Sequence, residues 1–320
     1  MRADATGVNC DACLNNFNNN SQVTPRLAMS AMIEGKNIYL LKANCKGAIG
    51  TVSRLTTYLA QRHCYIMELA QFDEIETGNF YVRCVFSTTP GITPKLEELR
   101  TEFGQGVAER DGMEWEMHDT LALPKVLIMV SKYDHCLDDL LYRQRTGEIK
   151  MEIPAIVSNH PDLKRLADWY EIPFYHLPIT PETKQEQERQ VLDLIEETGA
   201  ELVVLARYMQ ILSSNLCEEL AGRAINIHHS FLPGFKGAKP YHQAFERGVK
   251  LIGATAHYVT TDLDEGPIIE QVVERVDHTY SPAQLAAVGR DAENMALSRA
   301  VRYHLEHRVF PNGNKTVVFR

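Results

Sequence analysis

"INIHHSFLP" (225–233) closes an apolar run with Asn226 and His228 two apart, and "HYVTTDLDEGPII" (257–269) leads a second run into a carboxylate-rich turn holding Asp264. Side chains alternate along a strand, so Asn226 and His228 should share one face while His229 points to the other. A neutral Asn amide can donate to a developing oxyanion. A His of ordinary pKa moves a proton at neutral pH. A carboxylate can fix the imidazole tautomer, hold a water or accept its proton. No G-x-S-x-G nucleophile elbow accompanies them. A metal set of His228, His229, His257 and Asp264 would lack the helix-spaced H-E-x-x-H, and two of its His would face opposite sides of one strand. The bland alternative is a pair of buried, satisfied polar groups. Asn-x-His together with an Asp-x-Gly-Pro turn, at two separate strand ends, fits better with acyl transfer to water or an amine through a tetrahedral intermediate.

Those residues need a scaffold, and the surrounding pattern describes one. "KVLIMV" (125–130) is a continuous apolar run, as a parallel strand buried on both faces requires. Helix 135–146, strand 151–157, helix 161–170, a short strand at 173–177, helix 183–198 and strand "ELVVLA" (201–206) then alternate. "INIHH" and "GATAHYV" add strands, and 282–306 reads as a long closing helix. The alternation predicts a doubly wound, mostly parallel α/β domain over 125–320. Ligands in such sheets bind beyond the carboxyl ends of the strands, where "ARYMQILS" (206–213), "NIHHS" (226–230) and "HYVTTDLDEG" (257–266) all fall.

The stretch 35–120 has another rhythm. Strand 37–43, helix 48–62, strand 64–72, alternating strand 78–86, helix 94–109 and strand 113–119 give the order βαββαβ, a ferredoxin-like sandwich. Residues 1–34, rich in Asn near "NNFNNNSQ", predict a disordered tail. Cys10 and Cys13 form a C-x-x-C there, with no second pair or His at a zinc-like distance.

Composition excludes several classes. The 320 residues carry a net charge of −9 with no Lys/Arg run, against a nucleic-acid partner. No stretch approaches the ~20 apolar residues of a membrane span, and the N-terminus lacks a signal core. Seven scattered cysteines suit a reducing, cytoplasmic setting better than a disulfide framework.

With these motifs in place, the chain resembles the folate-dependent formyltransferases over about 125–320, most closely their formyltetrahydrofolate deformylase branch. The resemblance rests on "INIHHSFLP", "HYVTTDLDEGPII", "SNHPDLKRLAD", "VLARYMQILS" and the closing "NKTVVF". It implies that Asn226, His228 and Asp264 are the catalytic trio and that 10-formyltetrahydrofolate is the substrate, split into formate and tetrahydrofolate without a cofactor or metal. That formate would feed purine synthesis and balance the one-carbon pool. Met209, Gln210, Ile211 and Leu212 would line the folate pocket, His257 and Leu263 would shape it, and Lys184 would meet the glutamyl tail.

The βαββαβ unit is similar to an ACT regulatory module, which implies an amino-acid effector near Asn44, Cys45 and Gly47 in "ANCKGAIG", and a homodimer or homotetramer. Transformylases of the family hold their acceptor's phosphate on a glycine-containing loop after the first strand. Here that loop is "SKYDHCL" (131–137), with Lys132 and Asp134 in place of glycines. Side chains there block close backbone approach, and Asp134 repels a phosphate. The resemblance therefore implies hydrolysis, with transfer to an unphosphorylated amine and a non-catalytic sensor as the alternatives. Whether His228 or Asp264 is the general base is open.

Overall fold

The computed structural model describes residues 35–232 and 240–320. The expected tail, with Cys10 and Cys13, lies outside the described residues. The rest holds two sheet-and-helix units, a four-stranded and a seven-stranded one, taken in turn.

The first unit contains β1 (Ile38–Lys46), α1 (Thr51–Gln61), β2 (Tyr65–Glu74), β3 (Asn79–Ser87), α2 (Leu96–Phe103), α3 (Glu109–Asp111) and β4 (Glu114–Asp119). Its four strands lie in the order β2-β3-β1-β4, the ferredoxin-like arrangement of an ACT-like module. The helix predicted over 94–109 is interrupted: α2 stops at Phe103 and a π-helical turn, Gly104–Ala108, leads into α3. Gly104 and Gly106 weaken the helix there. A Cβ on Gly104 would sit 3.2 Å from the Trp115 ring, so glycine is what lets the ring pack. Asn44 and Cys45 belong to β1 itself, Asn44 half-buried and Cys45 buried, and the exposed Gly47 lies just beyond the strand.

The second unit is built on seven strands: β5 (Val126–Val130), β6 (Ile156–Ser158), β7 (Phe174–His176), β8 (Leu202–Leu205), β9 (Ala224–His228), β10 (Leu251–Tyr258) and β11 (Ile268–Arg275). Their order is β11-β10-β9-β8-β5-β6-β7. The five strands from β7 to β9 run parallel, whereas β10 and β11 are antiparallel additions. The helices are α4 (His135–Arg145), α5 (Lys164–Trp169), α6 (Lys184–Thr198), α7 (Ser214–Glu219), α8 (Pro240–Glu246) and α9 (Pro282–Leu305). A final hairpin joins β12 (Val309–Asn312) and β13 (Lys315–Val318).

Strand β5 explains its own apolar run. Val126, Ile128 and Val130 pack under α4, α5 and α9, while Leu127 and Met129 pack under α6 and α7. The strand predicted at 151–157 shrinks to β6, preceded among the described residues by an isolated bridge, Lys125 to Glu152. Pro154 lies between them and has no N–H for the ladder. The start of α9 is set by a capping box, Ser281 with Gln284, and by Pro282 in the first turn. β5 leads on to β6 on one side, and the chain returns with β8 on the other, so the switch point of the sheet lies between β5 and β8.

Candidate active site

Asn226 and His228 occupy the last turnout of β9, and the antiparallel ladder with β10 decides what meets them. Asn226 pairs with His257, and His228 with Thr255. Asn226 Nδ2 lies 3.3 Å from His257 Nε2. His257 Nδ1 lies 2.8 Å from the Tyr258 carbonyl, an acceptor only, so the ring carries its proton on Nδ1 and leaves Nε2 to accept from the Asn226 amide. Burial holds the His257 pKa below its ordinary value, against the pull of the Tyr258 carbonyl and Asp264, so the ring stays neutral. One Asn226 N–H is thus committed to His257, and the other is left for a ligand.

Asp264 arrives from the turn after β10 with a left-handed backbone, φ 57°. Short Asp tolerates this region better than most non-glycine residues. Two residues on, a Cβ on Gly266 would fall 1.8 Å from the Tyr258 carbonyl oxygen, so only glycine closes the turn. Closure brings Asp264 Oδ1 to 3.3 Å from His228 Nδ1 and 3.8 Å from His257 Nε2. The His228 hydrogen bond holds the Asp264 carboxyl below its usual range despite partial burial. With Nδ1 on the carboxylate, His228 Nε2 is buried and has no hydrogen-bond partner among the described residues.

His229 departs from the expectation of opposite faces. β9 ends at His228, so strand alternation no longer governs the next residue. The His229 ring stacks on His228, centroids 5.1 Å apart and planes 29° apart. Burial, then Arg207 and His228, press its pKa down to about 4, so it is neutral.

The predicted folate residues separate into held and exposed groups. The 209–212 loop is pinned at both ends: Met209 N–H donates to Ser131 Oγ at 2.9 Å, and Ser213 N–H donates to Glu188 Oε1 at 2.8 Å. Ser131 Oγ in turn donates to Asn159 Oδ1 at 2.7 Å, tying the ends of β5, β6 and β8 together. Met209 and Ile211 are exposed, Gln210 and Leu212 half-buried, and Leu263 is exposed beside Asp264. Lys184 lies on α6 with its ammonium 3.9 Å from Glu188 Oε1, so it has an internal partner. His257 is buried, with Asn226 and Asp264 beside it.

A second polar cluster was not foreseen from the sequence. Glu293 on α9 is 1% exposed and accepts from Tyr241 Oη at 2.8 Å, while His135 Nε2 lies 2.8 Å and Arg207 Nε 3.3 Å from its other oxygen. Burial pushes the Glu293 carboxyl up, but His135, Arg207 and Tyr241 outweigh it and hold the group below its usual value. The Arg207 guanidinium lies 5.1 Å from the Tyr133 ring centroid, a cation–π contact, and its backbone is left-handed at φ 63°. Gly289, one turn before Glu293, is obligatory, since a Cβ would lie 2.0 Å from Tyr241 Oη. His135, Cys136 and Glu293 group closely enough for a metal. Arg207 already supplies the countercharge, and burial keeps the Cys136 thiol protonated.

Residues 124–301 match the formyl transferase family. The match and the seven-stranded, mostly parallel sheet place that domain in the formyl transferase class. Over 284 residues the chain is 52% identical to the formyltetrahydrofolate deformylase of Corynebacterium sp. (strain P-1), covering 88% of this chain and 98% of the relative. The crystal structure of formyltetrahydrofolate deformylase from Burkholderia mallei ATCC 23344 superposes with a TM-score of 0.85 at 58% identity, covering 89% of this chain and all of that one. Glycinamide ribonucleotide transformylase 1 from Symbiobacterium toebii is more distant, with a TM-score of 0.58 at 26% identity over 63% of this chain and 97% of its own. The chain belongs to the formyltetrahydrofolate deformylase family, and its class is hydrolase. No described helix is long and apolar enough to cross a membrane.

Proposed function

We propose that this chain hydrolyses 10-formyltetrahydrofolate to formate and tetrahydrofolate through Asn226, His228 and Asp264. The carrying observation is the His228–Asp264 contact at 3.3 Å, which leaves His228 Nε2 buried and unpartnered among the described residues. Asp264 fixes the proton of His228 on Nδ1, so Nε2 presents a lone pair and serves as general base. It takes a proton from water as the water oxygen attacks the formyl carbon. Asp264 stabilises the imidazolium, and the second Asn226 N–H donates to the oxyanion. The tetrahedral intermediate then breaks its carbon–nitrogen bond, and His228 returns the proton to the departing folate nitrogen. His257 acts through Asn226, holding the amide in a fixed orientation.

The exposed apolar side chains of Met209, Ile211 and Leu263 offer a surface for the folate ring system, with Gln210 and Leu212 beside them. Lys184 lies further along as a glutamyl-tail contact once it exchanges Glu188 for the ligand. The formate released would supply purine synthesis. An amino-acid effector near Asn44, Cys45 and Gly47 belongs to the same proposal, and a panel of free amino acids that leaves the rate unchanged would sink that part.

Incubation with 10-formyltetrahydrofolate in buffer alone is the direct test. Stoichiometric formate and tetrahydrofolate without added amine are expected, and His228→Ala should abolish them in a folded protein. Turnover that requires an amine would replace hydrolysis with transfer.

A further inference from the structure

We propose that the buried cluster of Arg207, Glu293, His135 and Tyr241 selects the acceptor, closing the site to anything larger than water. This rests on the hydrolytic function proposed above and adds the residues that would enforce it. In open α/β sheets the crevice at the switch point, beyond the carboxyl ends of the strands, is where ligands bind. In this chain that place belongs to the protein's own side chains. His135 starts the helix after β5, Arg207 lies two residues beyond β8, and Glu293 reaches in from α9. Arg207 is 8% and Glu293 1% exposed and their charges offset each other, so the groups at this place are withdrawn from solvent and present no net charge to a polar acceptor.

The cluster is contiguous with the reacting groups. Leu205 pairs with Asn226 across β8 and β9, so Arg207, two residues later, comes off the strand next to the one that carries His228. His229 bridges the two sets, with its ring 5.1 Å from His228 and 6.5 Å from Tyr241. The other side of the site is open, since Met209, Ile211 and Leu263 are 50%, 62% and 58% exposed. One side therefore admits a large substrate, and the opposite side is filled.

In the hydrolytic step a water oxygen bonds to the formyl carbon, the carbon–nitrogen bond to folate breaks, and the folate nitrogen gains a proton. With glycinamide as the acceptor, its amine nitrogen would take the place of the water oxygen, and N-formylglycinamide and tetrahydrofolate would form. The experiment measures the ratio of N-formylglycinamide to formate by mass spectrometry, for the wild-type chain and for Arg207→Gly at one glycinamide concentration. Glycine suits the left-handed backbone at 207 and leaves His135 and Tyr241 on Glu293. The ratio should rise about tenfold or more, the range over which a reshaped pocket discriminates. An unchanged ratio with tetrahydrofolate still released overturns the proposal. If Arg207→Gly fails to fold or turn over, His135→Ala, which keeps the Arg207–Glu293 pair, is judged by the same ratio. Wild-type protein that releases no formate without amine overturns the hydrolytic function itself, a result separate from the ratio.

Discussion

Two carboxylates meet side chains at the strand ends of the seven-stranded sheet, and they are set up in opposite ways. Asp264 sits on a turn, with its side chain 17% exposed and one imidazole at 3.3 Å. Glu293 sits in a long helix, with its side chain 2% exposed, Tyr241 and His135 hydrogen-bonded to its two oxygens and the Arg207 Nε at ion-pair distance, 3.3 Å. Both are held ionised against the cost of burial, by different means. The partner of Asp264 has a second nitrogen with nothing on it among the described residues, so the charge there can act on a ligand. The charge on Glu293 is consumed internally. The difference lies in exposure and in the partners: Asp264 stands on a partly open turn beside imidazoles alone, whereas Glu293 is closed in against a guanidinium, an imidazole and a phenol.

Removing the charge at Asp264 is the most severe way to break this contrast. Asp264→Asn should lower kcat by about a thousandfold or more, because the carboxylate both orients His228 and stabilises its cation. The melting temperature should barely move, and a near-normal rate of tetrahydrofolate release would sink the assignment. Glu293→Ala should do the reverse. It strands the Arg207 guanidinium in the interior, which costs about 3–5 kcal/mol of folding stability, read by urea unfolding. A variant as stable as the parent would show that the cluster is not a structural anchor.

Asn226→Ala comes next, with an expected loss of about 100–1000-fold in kcat from one missing oxyanion donor. His257→Ala should reproduce part of that loss, since it frees the Asn226 amide to rotate. Equal rates for Asn226→Ala and wild type would remove the oxyanion role.

The smallest effect is on pH dependence. Folding lowers the Glu293 pKa, so the unfolded chain binds more protons at that group and stability rises with pH across the interval. The contribution is complete above the ordinary Glu range of about 4.3 and is lost as pH falls through the lower folded value. Between about pH 6 and 3, wild type should lose stability more steeply than Glu293→Gln. Parallel curves would mean that the carboxyl is not ionised in the pair.

The grouping of Asn226, His228 and Asp264, the proposed catalytic set, was legible in the sequence because it depends on short-range spacing. Asn226 and His228 share a face by strand alternation, and Asp-x-Gly-Pro announces a tight turn. The doubly wound alternation and the buried β5 were legible for the same reason. What was not legible depends on where elements stop or on pairings distant in the chain. His229 turns toward His228 because β9 ends one residue earlier. His257 reaches Asn226 through antiparallel pairing, a contact between residues far apart in the chain. β11 and the cluster helices α8 and α9 bring Tyr241 and Glu293 to Arg207, and nothing local distinguishes Glu293 from the other acidic residues of the chain. Pro154, plain in the sequence, is what shortens the strand expected over 151–157 to Ile156–Ser158.

The left-handed backbone at Asp264 has a practical consequence for mutagenesis. Of the residues that could replace it, Asn keeps both the shape and the tolerance for positive φ, while Ala or Glu adds about 1–2 kcal/mol of backbone strain. A scan of this position therefore mixes two variables, except in one substitution. Only the isosteric amide separates loss of charge from movement of the loop, and comparing it with Ala would measure how far the turn, rather than the acid, sets the distance to His228.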